Sequence, residues 1–400
     1  LVPTSQVGAV TARSRAHLEV DAQGFVVGAR VTERTSVAFE RGVASATSVG
    51  ELTARLVSAA PDLALLGSYA REQATLEEAG MAPVGELLAS ERQSDEVLVG
   101  GAKLEDLTAD LRRHRSEEAT RAHTMARLEA LVRLDPSAAR RLLVSLRTED
   151  EATRQALLAS LGGAGTEEAV EALADAAEDA ALSDDTRASA ARSLGLATPA
   201  TPRAAEALTS LTESGRGETR SAASLALGSV ARGLAGDHPD LTQSAVTTLT
   251  RELTAATSAA DRIVFLRALG NIGDAAVLPL ARAALADPEP TVRMAAATAL
   301  RFVPGDEADA LLAQTLLRDS DMDVREEAAE ACGYRAIDAH LASFAEALGK
   351  EPLEHVRLEI VRALVRAAPT SPEALALARK VAATDASDEV RALAAAALQG

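Results

Sequence analysis

The chain of 400 residues has no tryptophan, a single cysteine and only 2% aromatic residues. The aromatic deficit excludes a core built on large rings. With a net charge of −18 it also excludes the interleaved basic and aromatic stripe that grips a phosphate backbone, so nucleic acid is not an expected partner. The lone Cys332 excludes an internal disulfide and leaves the compartment open, because oxidising surroundings permit disulfides without requiring them. No stretch approaches the roughly 20 uninterrupted apolar residues of a membrane span. No signal peptide is visible, and the first residue is Leu1 rather than Met, which accommodates a targeting segment upstream. Lysine is nearly missing as well: Lys103, Lys350 and Lys380 are the three among 41 basic residues, a bias that matches GC-rich coding better than a need for bidentate arginine chemistry.

What is present is a period. Arg121, Arg154, Arg187, Arg220, Arg262, Arg293, Arg325, Arg357 and Arg391 follow one another at intervals of 33, 33, 33, 42, 31, 32, 32 and 34 residues. Seven residues after each comes an apolar residue (Leu128, Leu161, Leu194, Leu227, Leu269, Leu300, Cys332, Leu364, Leu398), and at five of these glycine follows: Gly162, Gly195, Gly228, Gly270 and Gly333. This spacing predicts a short amphipathic helix with the arginine in its first turn and the glycine as its C-terminal stop. A period near 33 holds that helix and one more, the size of a HEAT-like helical hairpin. Alanine at Ala190, Ala223, Ala296 and Ala328 predicts closely stacked helices. The fold class is therefore mainly α, an α-α superhelix or HEAT-like solenoid, with a short β-strand segment at the N-terminus.

Three regions are expected. In residues 1–40, Leu18, Val20, Phe25, Val27, Ala29 and Val31 alternate around the turn-like Asp21-Ala22-Gln23-Gly24, which predicts strands over 14–39. Two strands alone are marginal, so these read as the tail of a β-domain whose other strands precede Leu1. Residues 41–115 read as an irregular helical segment. It opens at a capping box, Ser48-Val49-Gly50-Glu51, carries a stripe of Val49, Leu52, Leu56 and Val57 ended by Pro61, and is broken near Gly80, Pro83 and Gly100-Gly101. Residues 116–400 hold the regular hairpins, with first helices such as 166–180 and second helices such as 185–194. The 42-residue interval is expected to contain a longer inter-helix loop, Gly233 to Asp240, before a stripe of Val246, Leu249 and Leu253. The last helix, 389–398, is alanine-rich and lacks the polar outer face of a terminal cap, so continuation beyond Gly400 is expected.

No chemistry-bearing constellation emerges. None of His17, His114, His123, His238, His340 and His355 precedes a glutamate, there is no zinc-binding His-Glu-x-x-His helix, and His123 and His340 read as ordinary surface or core-edge residues. Gly162-Gly163-Ala164-Gly165 reads as an inter-helix turn rather than a phosphate loop, and no nucleophile elbow occurs. Asp184-Asp185, Asp321 with Asp323, and Asp388-Glu389 precede repeat arginines at helix starts, where carboxylates cap amides for ~0.3–1 kcal/mol each. Each ladder arginine, beside such an acid, is expected to form a recurring ion pair between repeats. Catalytic, cofactor and metal residues are accordingly expected to be none, and a HEAT-type lyase or hydroxylase has no supporting residues.

Longer motifs carry more. Phe265-Leu266-Arg267-Ala268-Leu269-Gly270-Asn271-Ile272-Gly273, then Leu278-Pro279, then Val292-Arg293-Met294-Ala295-Ala296 and Ala299-Leu300-Arg301, resemble the helical domain of the large lipid transfer proteins: vitellogenin, microsomal triglyceride transfer protein and apolipoprotein B. Leu157 to Ala169 with Gly165-Thr166, Leu227-Gly228-Ser229-Val230 before the long interval, and Val324-Arg325 followed by Lys350-Glu351-Pro352 keep that family's order. The resemblance covers roughly 116–400. It implies a non-enzymatic lipid-binding or lipid-transfer role, in which the superhelix wraps a lipid-carrying β-domain, and a secreted or cell-envelope setting. It also implies that residues 1–40 are the last strands of an amino-terminal β-domain. The chain departs from the family in lacking its extracellular cysteines and the downstream sheets that frame the lipid. The alternative for such an array is a scaffold that grips a protein on its concave face.

Overall fold

The computed structural model describes residues 7–20, 26–39, 46–55, 84–114 and 116–398, with side chains from Arg92 onward. The chain divides into two compact units, Leu1–Val97 and Leu98–Gly400.

The first unit contains an antiparallel sheet in the order β1 (Val7–Val20), β2 (Val26–Phe39), β3 (Ala46–Arg55). Its register sets Thr11 against Ser36, Leu18 against Ala29, Val31 against Leu52 and Thr35 against Ser48. The second edge of β2 is therefore paired with a downstream segment, not with one preceding Leu1. Ser48-Val49-Gly50-Glu51, expected to open a helix, lies inside β3. A capping box is a four-residue pattern, whereas the ten pairs that Ala46–Arg55 makes along β2 satisfy a whole strand edge. The expected turn at 21–24, the stripe residues Leu56 and Val57, and the breaks at Pro61, Gly80 and Pro83 lie outside the described residues. A helix, α1 (Val84–Val99), follows and crosses the division between the units.

The second unit is built of nine hairpins among the described residues. The first helices of the hairpins are α2 (Leu104–Arg113), α4 (Ser137–Ser145), α6 (Glu167–Glu178), α8 (Pro202–Ser214), α10 (Pro239–Ala255), α12 (Val277–Ala284), α14 (Asp306–Arg318), α16 (Leu341–Lys350) and α18 (Pro372–Thr384). The second helices, which carry the ladder arginines, are α3 (Glu118–Leu134), α5 (Glu151–Ala164), α7 (Asp184–Leu196), α9 (Gly217–Leu234), α11 (Ala259–Ile272), α13 (Pro290–Leu300), α15 (Met322–Cys332), α17 (Glu354–Ala367) and α19 (Asp388–Ala396). Each second helix packs on the next, making an unbroken row. One core runs along this unit and is filled by leucine and alanine, with Leu128, Leu161, Leu194, Leu227, Leu269 and Leu300 all fully buried. Burying a leucine contributes ~1.5–3 kcal/mol, so these six leucines of the column seven residues after the arginines add substantially to cohesion, whereas the ninth member, Leu398, is 45% exposed.

The glycines that follow this column are not stops. Gly162, Gly195, Gly228 and Gly270 lie inside their helices. They face the next second helix: an added Cβ on Gly162 would stand 2.9 Å from the Ser193 carbonyl oxygen, and one on Gly195 2.7 Å from Ala226 Cβ. On Gly228 it would overlap the Ala268 carbonyl oxygen, and on Gly270 the Ala299 backbone. A hydrogen atom at these positions lets one helix axis approach the next more closely than any side chain permits. The C-terminal stops fall three residues on, where Gly165 (φ 66°) and Gly273 (φ 74°) adopt the left-handed cap. Gly333 does end α15, with right-handed geometry.

The 42-residue interval also differs from expectation. α9 has 18 residues and α10 has 17, leaving only 235–238 between them. The extra length is helix, because Val230, Ala231 and Leu234 extend the buried face of α9 by a turn and Pro239 starts α10 at a position that needs no amide donor.

Two substitutions separate packing from propensity. Gly228→Ala gains helix propensity of up to ~1 kcal/mol but forces a Cβ against the Ala268 carbonyl, so a net loss of about 1–2 kcal/mol in urea unfolding is expected. Gly349→Ala, inside α16 with nothing within 4 Å of the added Cβ, should stabilise by ~0.4–1 kcal/mol. Stabilisation by both would remove the close-approach account.

Candidate binding surface

The ladder arginines are held within the array. Arg293, Arg325 and Arg357 each donate to two carbonyls of their own inter-helix turn and reach an acid at the end of the next repeat's first helix. Arg293 Nε lies 2.9 Å from Asp319 Oδ2, Arg325 Nε 2.7 Å from Glu351 Oε2 and Arg357 Nε 3.0 Å from Asp385 Oδ2. Each pair is bidentate, the geometry a planar guanidinium favours. Each acid also accepts the amide two residues on, so the pair fixes the turn as well as the neighbour. Burial pushes Asp319, Glu351 and Asp385 upward, but the facing guanidinium and the bound amide outweigh it and hold all three below the ordinary carboxylate range.

Towards the N-terminus the same position is wired differently. Arg154, Arg187 and Arg220 donate Nε to carbonyls closing their own first helices, those of Leu146, Ala177 and Thr212. Two inter-repeat links come from a buried threonine just before the arginine: Thr186 donates to Glu151 Oε2 at 3.1 Å, and Thr219 to the carbonyl of Asp184 at 3.1 Å. Arg220 also pairs through Nη2 with Glu252 on the next first helix, and Arg262 Nε lies 3.4 Å from Asp287, just past the next one. From Arg293 onward the residue before the arginine is a buried valine, as in Val292, Val324, Val356 and Val390, and the acid past the next first helix is the link. Recurring contacts thus do join adjacent repeats, but mostly with partners other than the acid at the arginine's own helix start. Asp321 caps α15 as expected. At α7 and α19 the caps are Ser183 and Ser387, while Asp184 accepts from the Glu218 amide of the next repeat.

The remaining titratable groups are tied into structure. His340 is fully buried, with Nε2 2.9 Å from Asp309, and Arg335 binds Asp309 together with the carbonyls of Leu300 and Val303. Burial pushes the imidazole below its usual range, Arg335 adds to this, and Asp309 opposes it, so His340 sits neutral inside a polar knot and not at a core edge. Burial pushes the Cys332 thiol up to about 12. His123 is exposed. Asp323, Glu326 and His355 form the one grouping of metal-ligand type among the described residues, but Asp323 is exposed and His355 Nε2 stands 3.8 Å from Glu326, beyond hydrogen-bond reach.

Two surface features stay open. Grooves separate neighbouring first helices: about 590 Å³ between α4 and α6, lined by Pro136, Leu143 and Ala172 with Arg140, Glu168 and Asp175, and about 480 Å³ between α16 and α18, lined by Leu348, Leu377 and Val381. The second is a cluster that the residue patterns above did not flag. Arg232 lies 4.0 Å and Arg301 4.7 Å from the ring centre of Phe302, Phe302 meets Tyr334 edge to face at 5.9 Å, and Arg301 and Arg366 flank Tyr334 at 5.8 and 5.9 Å. Its signal was in the register: Asn271, Phe302, Tyr334 and Arg366 each fall nine residues after a ladder arginine.

The fold and its ladders define an α-α superhelix of HEAT-like repeats. Residues 102–331, more than half of the chain, match the vitellogenin TPR domain, and residues 310–399 match HEAT repeats. The chain belongs to the vitellogenin helical-domain family of large lipid transfer proteins. No curated protein matches it. Among solved structures it is similar to lipovitellin (16% identity, 98% of this chain and 42% of that one, TM-score 0.46). It is also similar to the phycocyanin lyase complex of CpcE and CpcF from Nostoc sp. PCC7120 (24%, 60% and 91%, 0.42) and to human deoxyhypusine hydroxylase (20%, 71% and 98%, 0.27). The chain thus spans less than half the length of the lipovitellin chain.

The depressed carboxylates fix the sign of the acid response. A group whose folded pKa lies below its unfolded value contributes stability above the unfolded value and loses it as pH falls through the folded one. Stability should therefore fall in two windows: below about pH 6.5 as His340 is driven towards its charged form, and more steeply below about pH 4 as Asp319, Glu351 and Asp385 protonate. Urea midpoints at pH 7.5, 5.5, 4 and 3 measure this. Equal midpoints at pH 5.5 and 3 would show that the acid ladder contributes nothing.

Proposed function

We propose that the chain binds lipid without catalysing a reaction, as the helical wall of a carrier whose apolar ligand is enclosed together with β-sheet. Membership of the vitellogenin helical-domain family over residues 102–331 is the observation that carries this reading. The packing explains the division of labour. Second helices in near backbone contact leave no internal volume, and the grooves between first helices are open and partly charged, whereas a lipid site must bury most of its ligand. Among the described residues no helix is long and apolar enough to cross a membrane, so the helices serve as a framework around lipid rather than as lipid-embedded elements. The buried, un-ionised Cys332 and the enclosed His340 suit structural roles better than nucleophilic or general-base ones. The second reading, a protein-binding scaffold, draws on the exposed arginine and aromatic cluster.

Mass spectrometry of an organic extract of the natively purified protein tests the proposal. Apolar lipid above the level recovered from a control protein purified in parallel is expected. Background lipid together with a stoichiometric co-purifying polypeptide would replace the carrier with the scaffold. The inert thiol gives a separate check: Cys332 should react with a thiol reagent at least tenfold more slowly in the native protein than in urea, and equal rates would contradict its burial.

A further inference from the structure

The geometry points to a docking site for an extended acidic polypeptide segment at the C-terminal ends of α9, α13, α15 and α17, formed by Arg232, Arg301 and Arg366 around Phe302 and Tyr334. The inference holds whether or not the protein carries lipid. Three observations converge on it. First, these arginines depart from the way the array uses its ladder arginines. Whereas Arg293, Arg325 and Arg357 are locked onto acids, Arg232, Arg301 and Arg366 make no ion pair among the described residues and lie against aromatic rings instead. Arg301 makes one side-chain hydrogen bond, from Nη2 to Asn271 Oδ1 at 2.8 Å, and that bond holds the guanidinium between the two rings.

Second, rings are scarce, and here one is half-buried and the other exposed. The whole chain has five phenylalanines and two tyrosines, and Phe302 and Tyr334 meet at this one place, with Tyr334 53% exposed. Tyrosine and arginine are the side chains that most often dominate the energetics of a protein interface, because they combine area, low entropy cost and directed polar groups. The two ring centres are 5.9 Å apart. An extended chain rises about 3.3 Å per residue, so alternate side chains on one face repeat at close to that spacing. Alternate side chains of an extended segment thus step from one ring to the next, and acidic ones among them meet the guanidiniums that flank each ring.

Third, the charge is of the scarce sign. In a chain of net −18, three guanidiniums without a paired carboxylate select an acidic partner and repel a basic one only locally, so a short segment fits better than a large acidic domain. The helix C-termini explain why arginine is tolerated at these positions, since the carbonyl ends favour cations. They do not explain the rings. Glu330, one turn back on α15, is pushed above the ordinary carboxylate range by burial and by the neighbouring Glu327 and Glu359, with Arg301 and Arg366 opposing the shift. It partly offsets the site and gives a second handle on it.

The test uses the full chain and a fluorescein-labelled decapeptide of alternating Glu and Leu, followed by anisotropy at low ionic strength. Saturable binding is expected. It should weaken at least tenfold in the double variant Arg232→Gln, Arg366→Gln, tighten severalfold in Glu330→Gln, and be at least tenfold weaker for the matching Gln and Leu peptide. Both arginines are exposed, and an unchanged thermal melt would show the double variant to be folded. Undiminished binding by the double variant, equal binding of the neutral peptide, or displacement by inorganic phosphate at the same concentration as by unlabelled peptide would each overturn the assignment, the last in favour of a small-anion site.

Discussion

The structure depends on how closely one second helix can lie on the next. At Gly162, Gly195, Gly228 and Gly270 the neighbouring backbone occupies the space a Cβ would need. Each contact fixes the rise and rotation between repeats, and the arginine, the buried leucine and the hydrogen-bonding turn must then recur at that pitch. A wider separation would leave the leucine column in contact with voids, at a cost set by the lost dispersion and burial of every repeat. The alanine richness follows from the same limit, since small side chains at Ala190, Ala223, Ala268 and Ala299 complete the layer without propping it apart.

Given that pitch, the polar ladder solves a second problem. Turns between helices hold carbonyls and amides that the narrow layer cannot surround with water, and unpaired they would cost about 1–3 kcal/mol each. A guanidinium has enough donors to bind two turn carbonyls and an acid at once, which is why arginine occupies this position and lysine could not. The two halves reach the solution differently. Thr186 and Thr219 bond between second helices, Arg220 adds a pair with Glu252 on the next first helix, and from Arg293 onward the arginine alone binds an acid just past that helix. The change falls just after the long helices α9 and α10, which join two successive hairpins.

The period, the hairpin and the buried column were legible in the sequence because a repeat prints its packing at a fixed spacing. The glycines were misread for a local reason. Gly following an apolar run is the usual mark of a helix end, and only the tertiary context, a neighbouring helix at near contact, turns it into an interior packing residue. The same limit applies to Ser48 to Glu51, whose capping-box spacing is indifferent to their partners Thr35 to Thr32 on the neighbouring strand, and to the long interval, where loop-like Gly233 and Gly236 disguised an extra helical turn. Composition pointed away from the arginine and aromatic cluster, because its members are spread over four repeats.

Closeness along the second-helix row also decides what the first-helix row can do. The gaps between α4 and α6 and between α16 and α18 stay open, and even Gly349, which lines the second, has nothing within 4 Å of an added Cβ. One row is thus fixed by near backbone contact, while helices of the other, such as α8 and α18, begin at caps of their own, Thr201 and Ser371. A wall of this kind can adapt its outer spacing while keeping its inner pitch, because side-chain contacts give way at far lower cost than a backbone pressed against a glycine. That division places the compliance on the first-helix row and keeps the repeat geometry of the second-helix row intact.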